Sequence, residues 1–407
     1  MIEPHQLTDE EMASIAHLVP GPEPELALPV PVGGDEAPAG ALRVCEPSIG
    51  ASERAYVLEA LDANWISSAG PFVPRFEAAF AEAVGAEHGV ACSSGTAALH
   101  LALAAAGVVE GDEVIIPTFT MVATANAVRF LGATPVLVDS EPRTGNLDVE
   151  RVAAAVTPRT RAIVPVHIYG HPVDMDPLLA LAEAHGLAVV EDAAEAHGAR
   201  YRDRPVGSIG LAGAFSFFAN KVLTTGEGGM VTTDDATLAA RARELRDLSF
   251  SSERHFWHRS VAFNYRMTNL QAAVGLGQVE RFDELVERRR SNAARYAAAL
   301  ADVPGLHLPV EEPWAHSVFW MVGITIDDGF GCTRDELRER LAARGIETRT
   351  YFVPMHLQPA YFHEHRGERY PVAEELGRTG LYLPSGPHLS DEDVAYVARE
   401  VRRAARP

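Results

Sequence analysis

Lys221 has the setting most suited to chemistry. It ends the run Phe215-Ser216-Phe217-Phe218-Ala219-Asn220-Lys221 and precedes the turn Thr224-Thr225-Gly226-Glu227-Gly228-Gly229-Met230. No other charge lies between Gly213 and Asn220, so the amine is expected in an apolar, aromatic environment and not on a solvated surface. Burial disfavours an ammonium, and the neutral amine is the form that makes an imine with an aldehyde. Ser216, five residues earlier, is placed to reach a phosphate on the same ligand.

Three further segments supply complementary chemistry. In Val189-Val190-Glu191-Asp192-Ala193-Ala194-Glu195-Ala196, Asp192 is expected at the C-terminal end of a buried strand, where open α/β sheets bind ligands. A carboxylate there can hold a protonated ring nitrogen and turn a pyridine ring into an electron sink; the competing reading is an Asp that caps the next helix. Cys92-Ser93-Ser94-Gly95-Thr96-Ala97-Ala98-Leu99 opens a helix from a loop of small residues. Its free N–H groups and the helix dipole suit a phosphate, although an ordinary N-cap explains the same residues. Phe263-Asn264-Tyr265-Arg266-Met267-Thr268-Asn269-Leu270-Gln271 puts polar side chains before a long helix, either as a cap or to reach a neighbouring subunit.

These segments need a rigid frame. Short β-branched runs predict strands at Glu113–Ile116, Pro135–Asp139, Ala162–His167, Ala188–Asp192 and Met230–Thr233. Helical stretches lie between several of them, at Ala97–Ala106, Val122–Phe130 and Met175–His185. That alternation predicts an α/β fold with a mostly parallel sheet covered on both faces. An unbroken helical pattern follows over Gln271–Arg290. Beyond it, strands at Leu306–Pro309, Phe319–Thr325 and Glu347–Tyr351, with helices at Arg334–Arg344 and Asp391–Ala404, predict a smaller α+β unit. The expected division is an N-terminal arm over 1–45, a large domain over 46–292 and a small domain over 293–407. Within the arm, Thr8 and Glu11 form a capping-box pattern opening a short helix through Ala13–Leu18, and Pro20–Gly40 reads as a linker.

Composition limits the partners. The 407 residues carry 35 Lys+Arg against 56 Asp+Glu, a net charge of −21, which argues against nucleic acid and anionic membranes. No apolar run approaches the ~20 residues needed to span a bilayer. The acidic start MIEPHQLTDEEM does not resemble a secretory signal. Cys45, Cys92 and Cys332 match no metal spacing and read as reduced thiols of a cytoplasmic protein.

Taken together, the segments resemble the DegT/DnrJ/EryC1/StrS family of sugar aminotransferases across roughly residues 45–395. The likeness rests on W-I-S-S-A-G at 65–70, S-S-G-T-A-A-L at 93–99, G-D-E-V-I-I-P-T-F-T at 111–120 and V-H-I-Y-G at 166–170. E-D-A-A-E-A-H-G at 191–198, F-S-F-F-A-N-K at 215–221 and N-Y-R-M-T at 264–268 follow in the family's order. The resemblance implies a type I aspartate-aminotransferase fold and a pyridoxal 5'-phosphate cofactor. Lys221 would then bond to the cofactor and carry the transferred proton, and Asp192 would pair with the pyridinium nitrogen. Glu195 would lie near the phenolic oxygen, at a position often His or Gln in relatives. Gly95, Thr96, Ala97 and Ser216 would hold the phosphate, helped by Asn264 from the second subunit of a homodimer. The ring-stacking position falls on Met121, with Phe119 as the alternative; a thioether can pack on a π face. One branch of the family replaces the lysine with histidine and dehydrates its sugar, so Lys221 favours amino transfer.

The same resemblance places Ser67, His167, Tyr351 and His356 in segments that line the sugar pocket of relatives, and Tyr382-Leu383-Pro384-Ser385-Gly386 in a structural loop. Phe256-Trp257-His258 with Phe263–Thr268 is most similar to the perosamine-synthase-like, 4-aminating branch. The expected reaction moves an amino group from L-glutamate to a nucleotide-linked 4-keto-6-deoxyhexose, dTDP-linked before GDP-linked. The alternatives are a 3-keto-sugar or cyclitol aminotransferase, or a non-catalytic sensor that keeps the cofactor.

Overall fold

The computed structural model describes residues 6–28, 38, 40–251, 253–254 and 256–405. Seven strands make the main sheet: β1 (His88–Cys92), β2 (Glu113–Pro117), β3 (Thr134–Val138), β4 (Thr160–Ile163), β5 (Ala188–Asp192), β6 (Ala212–Ser216) and β7 (Gly229–Thr233). Their order across the sheet is β1-β7-β6-β5-β4-β2-β3. Only β7 runs against its neighbours, pairing antiparallel with both β1 and β6; the remaining pairs are parallel.

This is the expected mostly parallel sheet. All five residues of β2 are buried, as are all five of β6 and of β7. Such continuous burial is what a sheet covered on both faces imposes. The sequence reading passed over β1 and β6 because His88-Gly89-Val90-Ala91-Cys92 and Ala212-Gly213-Ala214-Phe215-Ser216 lack a β-branched run. Met175–His185 forms as a helix with the expected limits and ends at Gly186, whose φ of 66° gives the left-handed C-terminal turn.

The pattern over Gln271–Arg290 is two helices, Asn269–Val279 and Phe282–Leu300. The break comes at Glu280–Arg281, where Arg281 has φ −113° and ψ 18°. There Gln278 donates to the carbonyl of Ser48 at 2.9 Å, and Arg281 donates to the same carbonyl at 3.2 Å and to Glu53 at 3.3 Å. Those bonds draw the chain toward residues 48–53 and turn the helix axis.

The smaller α+β unit has a four-stranded antiparallel sheet made from Leu306–His307, Val322–Ile326, Gly380–Leu383 and Arg349–Thr350. Gly380–Leu383 is a strand, so only Pro384–Gly386 of the expected C-terminal loop is irregular. In the arm, Thr8 accepts from the Glu11 N–H at 3.2 Å and its own N–H donates to the Glu11 carboxylate at 2.9 Å. The helix runs over Asp9–Ile15, short of Leu18. Ile15, Leu18 and Val19 pack on Leu357 and Phe362, while Glu23 pairs with the buried Arg338 at 2.6 Å. Most of the expected linker beyond residue 28 lies outside the described residues.

Candidate active site

The loops that carry chemistry leave the sheet at the C-terminal ends of strands that run in the same direction, where open α/β sheets bind ligands. Ser94 follows β1, Thr118–Met121 follow β2, Asp192 ends β5 and Ser216 ends β6.

Ser94 caps the helix Gly95–Ala105, its Oγ accepting from the Ala97 N–H at 3.1 Å. The ordinary N-cap reading therefore holds for Ser94 and Ala97. The first-turn N–H groups of Gly95 and Thr96 are among those a helix cannot satisfy internally. A Cβ on Gly95 would lie 2.6 Å from Cβ of Ser216. Only glycine lets the end of β6 close against this helix start and bring the Ser216 hydroxyl to it. The result is a small cradle of N–H and O–H groups at the positive end of a helix, which fits a phosphate.

Lys221 approaches from the far side of the β6 turn. Its Nζ lies 3.7 Å from Oε1 of Glu195 and 3.8 Å above the ring centre of Trp320. Its side chain is about 11% exposed. Desolvation holds the amine below its ordinary pKa, against the opposing charges of Glu195 and Asp192. Burial also pushes Glu195 up to about 7, with Lys221 pulling the other way. Burial thus opposes ionisation of both members of the pair.

Asp192 is buried as well, and burial raises its pKa. Its Oδ2 accepts from Thr124 Oγ1 at 2.8 Å and its Oδ1 from the Ala194 N–H at 3.2 Å. Because the Thr124 proton points at Asp192, the 3.1 Å contact between the hydroxyls of Thr120 and Thr124 must be donated by Thr120. Glu195 is oriented in turn by the Tyr169 N–H, which donates to its Oε2 at 2.8 Å. Tyr169 sits at φ 51°, a left-handed conformation unusual for an aromatic residue. Its carbonyl accepts from the Trp320 N–H at 2.9 Å. A buried amine, a buried carboxylate on the same strand-end layer and a phosphate cradle form a donor set that fits pyridoxal phosphate.

The structure places the other expected residues elsewhere. His167 is fully buried: Nε2 donates to Glu191 at 3.0 Å and Nδ1 accepts from the Val173 N–H at 3.0 Å. Both ring nitrogens are thus used internally, and His167 is a structural residue, not a pocket wall. His356 is buried as well: its Nδ1 bonds Thr118 Oγ1 at 3.0 Å, its ring packs 4.7 Å from that of Tyr370, and burial lowers its pKa to about 4, while its Nε2 has no hydrogen-bond partner among the described residues. Tyr351 does line a cavity of about 860 Å³ with Phe119, Ile168 and Tyr169, its ring 4.8 Å from that of Tyr169. Lys221, Asp192 and Ser216 are not among the residues lining that cavity.

Phe119 is 1% exposed and packed against Tyr169, Tyr351 and Phe352. Met121, which precedes the helix Val122–Arg129, is 50% exposed. Ser67 is exposed and its carbonyl accepts from the Asn269 N–H at 2.9 Å. Asn264 is exposed too, with Oδ1 accepting from Arg266 Nη2 at 3.2 Å. Among the described residues no hydrogen bond or ion pair joins any of these three to Lys221.

Sequence reasoning missed Thr124, Tyr169, Trp320 and the buried Arg289. Thr124 carries only a hydroxyl, and Trp320 sits in an apolar strand-like run that reads as core. Nothing in local pattern distinguishes either from packing.

The chain matches the DegT/DnrJ/EryC1/StrS aminotransferase family over residues 47–402. It is 48% identical to the GDP-perosamine synthase of Caulobacter vibrioides over 357 residues, 88% of this chain and 96% of that one. It is 44% identical to dTDP-3-amino-3,4,6-trideoxy-alpha-D-glucose transaminase of Streptomyces venezuelae over 339 residues, 83% of this chain and 88% of that one. The crystal structure of S. venezuelae DesV in complex with a ketimine intermediate superposes with a TM-score of 0.83 at 43% identity, covering 87% of this chain and 94% of that one. With the Lys221, Asp192 and Ser216 arrangement on the expected fold, the chain belongs to the DegT/DnrJ/EryC1/StrS aminotransferase family and is a pyridoxal-phosphate-dependent sugar transaminase.

Proposed function

We propose that the enzyme transfers an amino group from L-glutamate to C4 of a nucleoside-diphosphate 4-keto-6-deoxyhexose. The carrying observation is the Lys221–Glu195–Asp192 group at the same strand ends as the Gly95/Ser216 cradle. When bound, the cofactor supplies the aldehyde and the electron-withdrawing ring. Lys221 holds and moves the proton at Nζ, Asp192 holds the ring nitrogen, and the cradle anchors the phosphate.

The sequence favoured a dTDP-linked sugar. The three GDP-perosamine synthases, at 48%, 42% and 38% identity, now support a GDP-linked sugar ahead of it. The dTDP-sugar transaminase at 44% keeps the 3-amino reading as the second candidate. The test offers purified enzyme GDP- and dTDP-linked 4-keto-6-deoxyhexose with L-glutamate and locates the product amine by NMR. A 4-amino GDP-sugar is expected; a 3-amino product, or turnover of the dTDP-sugar alone, overturns this substrate assignment.

We further propose a cytoplasmic homodimer, with Met121 packing on the cofactor ring and Asn264 crossing to the second subunit's phosphate cradle. The division at 46–292 and 293–407 is part of the same proposal. Support comes from apolar side chains exposed together. Asn269 donates to the Trp65 carbonyl at 2.6 Å, Gln271 donates to that of Glu227 at 2.7 Å, and Phe218 forms a bridge with Gly226. This links Trp65, Ile66 and Phe218, which are 49%, 52% and 45% exposed, beside the segment of Asn264. Exposed large apolar side chains of this kind suit an interface. Among the described residues no helix is long and apolar enough to cross a membrane. Sedimentation of the holoenzyme as a monomer with full activity would remove the shared-site part.

A further inference from the structure

Arg289 lies in the middle of the helix Phe282–Leu300 and is 1% exposed. Among the described residues no carboxylate pairs with it. A buried cation of this kind is costly unless carbonyl dipoles take the place of a counter-ion, and here three do. Its Nη1 donates to the Trp320 carbonyl at 2.8 Å. Its Nη2 donates to the carbonyl of Lys221 at 3.0 Å and, more weakly, to that of Asn220 at 3.4 Å, with Cys45 Sγ at 3.5 Å. Trp320 closes the arrangement, since its indole N–H donates to the Asn220 carbonyl at 2.7 Å while its ring faces the Lys221 amine.

We propose that Arg289 is a positioning residue for amino transfer, clamping the Asn220–Lys221 backbone and Trp320 together so that Nζ of Lys221 is held over one spot. The proposal rests on Lys221 being the reactive lysine, as above. The guanidinium fork suits the task, because one planar group holds several carbonyls at fixed angles, whereas an ammonium is a compact point charge with rotatable donors. Its charge also acts on the amine. Lys221 is faced by Glu195 and Asp192 from the β5 end, by neutral His197 from beneath, and by Arg289 from the helix; the two carboxylates favour the ammonium and Arg289 disfavours it. A lysine that must be neutral to react gains from that opposition.

The test compares wild-type holoenzyme with Arg289→Lys and Arg289→Met. The first readout is amide hydrogen exchange by mass spectrometry, and the second is the separation of kcat from KM. In Arg289→Lys, exchange over residues 217–225 is expected to rise about 10-fold, as for loss of one net hydrogen bond, while the small sheet around Val322–Ile326 keeps wild-type protection. kcat should fall about 10- to 100-fold at little-changed KM, the size of a sub-ångström to ångström misplacement. Arg289→Met should fall further if it folds; if it does not, Arg289→Lys decides. Unchanged exchange over 217–225, exchange that rises throughout the helix and small sheet alike, or kcat within twofold of wild type each overturn the proposal. Absence of turnover in the wild type would instead fault the transaminase reading, and the exchange comparison would still judge the clamp.

Discussion

Glu191 and Asp192 are consecutive, both buried, and both at the end of β5, yet they belong to opposite kinds of site. Glu191 accepts from His167 at 3.0 Å and from the N–H groups of Gly207, Ile209 and Gly210 at 2.7–2.8 Å. Burial pushes its pKa up, but those donors more than offset it and the net shift is downward. Asp192, on the other face of the strand, has two donors, and burial wins, so its pKa is raised. The same holds for Glu195 and Lys221, whose ionised forms are both disfavoured by burial. A buried charge with a full set of donors is holding the fold together. A group of buried charges left short of donors is waiting for a ligand or a proton.

The comparison can be broken most directly at Lys221. Lys221→Ala should lower kcat by about 10⁴-fold while the melting temperature stays near that of the wild type, since the amine's contact with Glu195 is a loose 3.7 Å. Measurable transamination at more than a hundredth of the wild-type rate would show that another group moves the proton.

Asp192→Asn and Glu191→Gln set the two faces of β5 against each other. The first should cost about 10²- to 10³-fold in kcat, the scale for removing one electrostatic group from an active site, with little loss of stability. The second should leave kcat per folded molecule close to wild type but destabilise by about 3 kcal/mol, because an amide NH2 cannot accept from the N–H groups that the buried carboxylate serves. Glu191 has a lowered pKa, so its contribution is present above the ordinary carboxylate range and is lost as pH falls through the folded-state value. The wild type should therefore lose its advantage over Glu191→Gln in melts below about pH 4. If the two variants exchange phenotypes, the distinction drawn from donor counts fails.

How much of this was legible in the sequence follows the same division. Lys221, Asp192 and Ser216 stood out because polar side chains are rare in the apolar runs that hold them, and Gly95 because a loop of small residues opens a helix there. His167 was expected in the sugar pocket because its segment is similar to one that lines it, but local sequence carries no sign that Glu191, 24 residues on, takes up its Nε2. His356 is tied through Nδ1 to Thr118, 238 residues distant, a contact that local sequence does not show either. Trp320 and Arg289 were invisible for the converse reason: a Trp in a strand-like run and an Arg in a charged helix look like core and surface. Only the tertiary structure turns both toward the lysine. The alternation of strands and helices was readable because period and burial are local properties. The break at Glu280–Arg281 was not, since its cause lies at Ser48 and Glu53.

Thr124→Val tests whether Asp192 depends on its one side-chain donor. The swap keeps the β-branched shape and removes the 2.8 Å bond. A hydrogen bond to a charged group contributes about 1.5–3 kcal/mol, so kcat should fall about 10-fold, less than for Asp192→Asn. An effect equal to that of Asp192→Asn would mean that Thr124 itself acts on the ligand.

The smallest effect is expected at Glu195, and it is a shift in pH, not a loss of rate. Glu195 titrates near 7, so above neutrality it places a negative charge 3.7 Å from the Lys221 nitrogen and favours that nitrogen's protonated form. Glu195→Gln keeps the acceptor for the Tyr169 N–H but removes the charge. The nitrogen should then lose its proton at lower pH, by about one unit for a single charge at this distance. A pH titration of the holoenzyme's visible absorbance reads the midpoint directly. An acid shift places Glu195 inside the proton circuit of Lys221. A midpoint that does not move would assign Glu195 to the other face of the comparison, as one more carboxylate that orients backbone and takes no part in the chemistry.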